Sequence, residues 1–498
     1  MKKELKLRIP ALILATLMLI SVLVSCAEQI SDDTEPEGTE AVLPDTDPAE
    51  ETTEAAVNAL NILGKRDLNN TKITIYTNYY GDSAWSSDLF YPENDGDILG
   101  SAVFTRNSTV AEQYNVQIEE LQSGSRTFTS KLKALVESND SETCQLIATV
   151  LADAAEDMTK GYLTNLNNVS NINLEGSWWN QANNATWSIY GKQYFATGDI
   201  TTVDDKATRV LFFNKDILKN INIDEPYQLV KDGKWTYDRF FEMVNAAAID
   251  VGNDGMVLGT DTFGLTAQTT VGFMLLTGAG EVIVKKDSTD VPYIVTDENP
   301  DRIVDVATYL TEKLSGNQAV YTGTDANELS NFQQNRALFL AEVLHHVKNL
   351  RQQYDVNFGL LPMPKYSEDQ EKYYQYAEGY CALVVAVPTT VRGTQLDEAS
   401  FVLEALAIES VETVTPAFYE LCLKGRYSTD YESTEMLDII TENVLTDYGD
   451  IFSLGGIKTA IKNAILNGSA ITTSLKAANK VGKNDLKSIL KSIEALEN

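Results

Sequence analysis

Apolar and polar positions repeat with two periods along this chain, and the changes between them mark out its elements. Lys72-Ile-Thr-Ile-Tyr76 reads as a strand, Ala102 to Tyr114 repeats as a helix, and Val116 to Leu121 alternates as a second strand. Phe128 to Glu137 is helical, Gln145 to Val150 is a strand, and Ala154 to Tyr162 is a helix. This β-α-β-α-β-α order predicts a mostly parallel sheet with helices on its faces. Arg209-Val-Leu-Phe-Phe213 is a further apolar strand. The middle of the chain is richer in helix. Thr236 is placed to cap Tyr237 to Ala248, whose Phe240, Val244 and Ala247 share a face. Asn299-Pro300 starts a helix carrying Ile303, Val306, Leu310 and Leu314. Ala326 to Leu350 reads as helix in one or two pieces. Phe358 to Leu361 and Ala382 to Val387 read as strands on either side of a tyrosine-rich loop, and Glu398 to Leu423, Glu435 to Leu445 and the tail from Ile457 read as helix.

The N-terminus is patterned differently. Lys2, Lys3, Lys6 and Arg8 precede an apolar run from Ile9 to Val24 that closes on Leu23-Val24-Ser25-Cys26. That is the layout of a secretory signal over residues 1–25. Leu-Val-Ser-Cys also resembles a bacterial lipobox, which implies a diacylglycerol on the Cys26 sulfur and cleavage before it. From Ala27 to Ala56 there is no Lys, Arg or aromatic residue, while eleven acidic residues are interleaved with Thr and Pro. A segment of this composition has too little apolar surface to offset its ordering entropy, and residues 26–59 read as a tether.

Beyond the tether roughly 430 residues remain, more than one ordinary core holds, which predicts two lobes. The formal net charge of -33 argues against nucleic acid as a partner and against a basic membrane-binding face. Cys144, Cys381 and Cys422 are odd in number and widely spaced, so they do not form a disulfide framework; Cys144 and Cys381 begin strands and read as small buried hydrophobes. The two histidines, His345 and His346, are adjacent and point apart on a helix, which rules out a two-histidine metal face.

Several stretches resemble the extracellular solute-binding proteins of ABC importers, in the sugar-binding family that includes maltose-binding protein. They are Ala111-Glu-Gln-Tyr-Asn-Val-Gln-Ile118, Tyr194-Phe-Ala-Thr-Gly-Asp199 and Val210-Leu-Phe-Phe-Asn-Lys215, then Pro226 to Thr236, Asp250 to Gly255, Arg336 to Glu342, Phe358 to Lys365, and Val402 to Leu406 with Pro416-Ala-Phe-Tyr419. Each is short; they occur in the family's order across most of the chain. The resemblance implies an α/β fold of two lobes, like the periplasmic binding proteins of type II, with mixed, mostly parallel sheets and hinge crossings. Residues 60–214 and 380–498 would form the first lobe and 215–379 the second. It further implies a monomer that captures a carbohydrate, passes it to the permease subunits of an ABC transporter, is held to the extracellular face of the membrane by lipid, and uses no cofactor and no catalysis. Two other readings stay open: a lipid-anchored glycoside hydrolase, which needs two carboxylates about a scissile bond, and a peptide binder on the same fold.

A sugar site needs flat apolar faces and planar hydrogen-bonding groups. Tyr79 and Tyr80 follow the first strand, with Trp85 close behind, and Trp178, Trp179 and Trp187 lie in or near an Asn-rich stretch. These six are candidate ligand contacts. Asp153 follows the third strand, at the edge where open α/β sheets bind ligands, with a helix cap as its competing role. Asp199 precedes the first crossing, where ligand contact competes with hinge hydrogen bonding. Glu342 matches the point where the family's second lobe faces the cleft. Asp250, Asp254 and Asp261 fall at positions one, five and twelve of a calcium-loop pattern, but Gly252 stands where the pattern needs an oxygen ligand. A structural Asp-Gly turn is the better reading there.

Overall fold

In a computed structural model, which describes residues 59–79, 81, 85–91, 97–125, 129–323, 326–420 and 430–496, the alternating segments of the first third become β1 (Thr71–Thr77), β2 (Val116–Gln122) and β3 (Leu146–Val150). There follow β4 (Arg209–Asn214), β5 (Phe263–Gln268), the hairpin β6 (Val284–Lys286) and β7 (Pro292–Ile294), and β8 (Val320–Gly323). The rest are β9 (Ala337–Val343), β10 (Phe358–Leu361), β11 (Gln375–Tyr376), β12 (Leu383–Ala386) and β13 (Val444–Leu445). Cys26, the signal segment, the acidic tether, Tyr80 and Cys422 lie outside the described residues. No described helix is long and apolar enough to cross a membrane.

Two mixed sheets carry the architecture. The first has the order β12-β3-β1-β2, with β1 parallel to both β2 and β3, and β12 antiparallel to β3. The second has the order β10-β4-β9-β5-β8, with β5 parallel to β9 and β8, and β4 antiparallel to β9 and β10. The chain therefore leaves the first sheet after β3, builds the second, and returns with β12. The two crossing segments lie side by side: Thr208 bridges Ala377 in antiparallel fashion.

The central strands are buried along their whole length, as β3, β4 and β9 are, because helices cover both faces. One core, on Leu146, Ala148, Trp179, Val385 and the helix Gly393–Glu412, backs the first sheet. A larger one runs through Phe212, Phe240, Leu275, Leu310 and Phe339.

Three departures from the sequence reading have physical causes. Ala337–Val343 is a strand instead of part of a helix, because its fully buried run sits between β4 and β5, and burial on both faces overrides the helix propensity of Ala and Leu. β4 belongs to the second sheet, although the expected lobe boundary falls after Asn214. The helix Tyr431–Glu442 packs on β10 of the second sheet, Ile457–Asn467 packs on Ile471–Ala495 and on the helices Val271–Gly278 and Asp301–Leu314 that follow β5, and Ile471–Ala495 packs also on β7 and the Leu454–Gly456 turn. Ser433 holds Tyr227 at 2.9 Å and the Leu360 N–H at 3.3 Å, and Ile465 covers Gly272. The expected assignment of 380–498 to the first lobe thus describes the helix Gly393–Glu412 but not the residues after Asp430. Thr236 does stand at the start of the helix Tyr237–Ala247, but its side chain makes no capping hydrogen bond.

Candidate functional site

The crossing segments and the ends of β4 and β9 assemble a cavity of about 480 Å³. Arg209 opens β4, Glu342 stands near the end of β9, and Glu378 directly follows Ala377 of the return crossing. Arg209 donates from Nη1 to Glu342 Oε2 at 2.8 Å and from Nη2 to Glu378 Oε2 at 2.8 Å and Gln268 Oε1 at 3.1 Å. Its Nε, in a side chain 4 % exposed, has no protein partner. Glu378 in turn accepts from Lys458 Nζ at 3.1 Å, and Lys458 also pairs with Asp450 at 2.9 Å.

The charges fix their own protonation states. Burial by itself would raise the Glu378 pKa, but the charges of Arg209 and Lys458 and the hydrogen bonds they donate outweigh it and bring it down to about 2. Arg209 is held still more firmly protonated by Glu342 and Glu378 against the opposing effect of burial. The cavity thus presents the Arg209 guanidinium between the Glu342 and Glu378 side chains, with Glu378 held ionised at neutral pH.

Trp85, His345, His346, Gln268 and Tyr380 complete the lining. The Trp85 and His345 rings tilt at 52° with centroids 5.8 Å apart. Burial, then the charges of His346, Lys206 and Lys348, lower the His345 pKa to about 4. Burial lowers that of His346 as well, against the pull of Glu342. Both imidazoles are therefore neutral at pH 7 and offer one donor and one acceptor each. The buried Cys381 borders the same space.

Next to the cavity is an acidic shoulder. The His345 N–H donates to the Lys206 carbonyl at 3.1 Å, and the Lys206 ammonium reaches Asp88 at 3.2 Å. Asp88 also accepts from Thr201 Oγ1 at 2.7 Å and Thr202 Oγ1 at 2.6 Å. Asp205, hydrogen-bonded by Tyr419, has its pKa raised to about 7 by burial and by the charges of Asp199 and Asp88.

The sequence-derived candidates are distributed unevenly over this geometry. Trp85 and Glu342 line the cavity together. Asp199 lies on the shoulder, where it accepts from Thr415 Oγ1 at 2.6 Å and burial raises its pKa. Asp153 sits in the first turn of the helix Leu151–Thr159, after the capping position. Tyr79 is half-buried beyond β1, its carbonyl accepting from the Gly124 N–H at 3.0 Å.

The other three tryptophans are engaged elsewhere. Trp178 Nε1 and Trp179 Nε1 donate to the two oxygens of Glu404 at 3.0 and 3.1 Å, and Asn173 N–H adds a third bond at 3.1 Å. Trp187 Nε1 donates to Thr446 Oγ1 at 2.8 Å. Trp179 and Trp187 are buried and belong to the two cores, so their polar sequence surroundings mislead. Asp250, Asp254 and Asp261 do bring their carboxylates within 4.8 Å of one another. Two of these carboxylates accept backbone N–H groups, Asp250 from Asp254 and Gly255 and Asp261 from Val251 and Val257.

Arg209, Gln268, Glu378, His345, His346 and Tyr380 were not among the candidates. For Arg209 a signal existed, a charge opening an apolar strand.

A profile of bacterial extracellular solute-binding proteins matches residues 108–398. No curated protein matches the chain significantly. Among solved structures, UgpB from Mycobacterium tuberculosis in complex with glycerophosphocholine is 13% identical, with a TM-score of 0.56 over 84% of this chain and 98% of that one. An ABC substrate-binding protein from Listeria monocytogenes in complex with cycloalternan is 12% identical, with a TM-score of 0.51 over 85% and 99%. A cyclo/maltodextrin-binding protein complexed with maltotetraose is 14% identical, with a TM-score of 0.52 over 87% and 97%. At these identities the likeness establishes the two-lobe fold.

Proposed function

The chain belongs to the family of bacterial extracellular solute-binding proteins, and from that premise we propose that it captures a carbohydrate, an oligosaccharide, in the cavity between its two sheets and delivers it to the permease subunits of an ABC importer. The observation that carries this reading is the lining: one indole face, from Trp85, among Arg209, Gln268, Glu342, Glu378 and two neutral imidazoles. Such a set stacks on the C–H face of a pyranose while planar groups read its hydroxyls. Arg209 is already balanced by two carboxylates, which favours an uncharged ligand over an anionic one. Cycloalternan and maltotetraose, the ligands of two structural neighbours, are oligosaccharides.

Capture proceeds by closure about the paired crossings at Thr208 and Ala377, with ligand favouring the closed arrangement. The protein catalyses nothing itself. Within the cavity Glu378 is held ionised by Arg209 and Lys458, which does not suit it to the acid role a glycosidase needs. The lipobox-like Leu23-Val24-Ser25-Cys26 supports a lipid anchor at Cys26, and the acidic stretch after it a tether. Calorimetric titration with a panel of neutral oligosaccharides tests the reading. Saturable binding without product is expected; release of a shortened glycoside, or binding of peptides alone, refutes it.

A further inference from the structure

The C-terminal helix Ile471–Ala495 departs from the charge of the molecule that carries it. The chain has 39 Lys and Arg against 72 Asp and Glu, yet this helix holds five lysines and two acidic residues, Asp485 and Glu494. The lysines are Lys476, Lys480, Lys483, Lys487 and Lys491. At 100° per residue these spacings of four, three, four and four keep all five within one narrow arc. Leu475, Ala478, Gly482, Leu486 and Ile493 point elsewhere, into the fold. All five lysines are exposed. Lys483 pairs with Asp297; the other four make no ion pair or hydrogen bond among the described residues. Of the acids beside the stripe, Asp297 is taken by Lys483, Glu494 accepts from the Tyr190 hydroxyl at 2.9 Å, and Glu298 is exposed.

We propose that this face docks on an anionic phospholipid bilayer. At ~1.5 Å per residue the lysines span about 22 Å in a nearly straight line, a shape that suits a planar array of phosphates better than a single ligand. A groove of about 590 Å³ beside Lys487 and Lys491 is lined by the half-buried Tyr293 and Leu490 together with Asp297, Glu298 and Glu494; Tyr293 and Leu490 give apolar and tyrosine contacts of the kind that settle at headgroup depth. The rest of the surface is strongly acidic and is repelled by the same bilayer, so one orientation is selected. The net charge of the chain conceals this basic face. The inference does not depend on what the cleft binds.

The test is co-sedimentation of the chain from Ala27 onward, which keeps the compact unit Asn58–Asn498 whole, with vesicles of phosphatidylcholine alone or mixed with phosphatidylglycerol, at low salt. The expected result is binding to the mixed vesicles only, lost on adding salt. K476Q/K480Q/K487Q/K491Q should weaken it at least about 10-fold, since each lysine near such a surface is worth up to about 5-fold and the acidic body offsets part of that. The control K65Q/K133Q/K219Q/K234Q changes net charge equally at exposed sites elsewhere and should weaken binding by less than about 3-fold. Equal losses in the two variants would overturn the proposal, as would equal binding to both kinds of vesicle. A self-association abolished by the stripe variant, with no vesicle binding, would assign the face to a second copy instead.

Discussion

Replacing Glu378 by Gln tests the electrostatics at the crossings. Glu378 bridges Arg209 on the outgoing segment and Lys458 on a C-terminal helix. Its pKa falls from 4.5 to about 2. A drop of that size corresponds to ~3 kcal/mol of folding stability at neutral pH, at ~1.4 kcal/mol per unit. The sign follows from the direction. A carboxylate whose folded pKa is depressed contributes fully above its unfolded value and loses that contribution as pH falls through the folded one. Glu378→Gln should therefore cost ~3 kcal/mol at pH 7, less as pH drops below 4.5, and almost nothing at pH 2. The side chain is 18% exposed, so solvent screening discounts this only modestly. Arg209 keeps Glu342 and Lys458 keeps Asp450, which spares the variant an unpaired buried cation. For a body of roughly 440 residues, unfolding entropy of ~2.1 cal/mol/K per residue makes the change about 3 °C in Tm. Scanning calorimetry of both proteins between pH 7 and pH 3 measures it. A Tm difference that is the same at pH 3 as at pH 7 would refute the account, because a packing defect has no such pH dependence.

Three other outcomes follow from the geometry. Trp85→Ala should weaken oligosaccharide binding about 10- to 100-fold, the value of ~1.5–3 kcal/mol for one buried aromatic face, while Trp178→Phe, which removes a donor to Glu404 outside the cavity, should leave affinity within about twofold; calorimetry separates them, and the reverse order would move the site. His345 should titrate near pH 4 in an NMR histidine titration simplified by the presence of only two histidines. Its lowered pKa means that the stability it confers is complete above about 6.5 and falls as pH drops toward 4, and a midpoint near 6.5 would contradict its burial. Gly264→Ala should destabilise by about 3 kcal/mol or more, because a Cβ there collides with the Val244 backbone carbonyl; unchanged urea unfolding would show that the helix Tyr237–Ala247 can yield.

Much of the fold is written in local pattern, and the site much less so. The strands β1, β2, β3 and β4 announce themselves because apolar residues, many β-branched or aromatic, alternate or run together over five to seven positions, and β10 and β12 as apolar runs of four. β9 does not, since Ala337-Leu-Phe-Leu-Ala-Glu-Val343 is composed largely of good helix formers and only its neighbours β4 and β5 make it a strand. The tryptophans fail for a related reason. Trp178 and Trp179 look solvent-facing among asparagines, but the carboxylate that ties them down lies over two hundred residues away at Glu404, whose pKa burial raises to about 7. No window on the sequence contains both partners.

The cavity has the same non-local origin, yet it leaves a trace. An arginine that opens an otherwise apolar, fully buried strand has to meet anions inside the fold, because an unpaired buried charge costs several kcal/mol. Arg209 heads such a strand. Its partners must come from chain ends brought to the same edge, and β9 and the return crossing supply them as Glu342 and Glu378. Reading the buried charge for the partners it demands, before counting aromatic residues, leads to the two crossings and from there to Trp85. The same logic explains why the cleft and the crossings share residues. Any movement of one crossing against the other has to carry Arg209, Glu378 and Lys458 together or separate them at a cost of several kcal/mol. A ligand that satisfies the free Arg209 Nε while the network stays intact therefore favours whichever arrangement keeps these three groups in register.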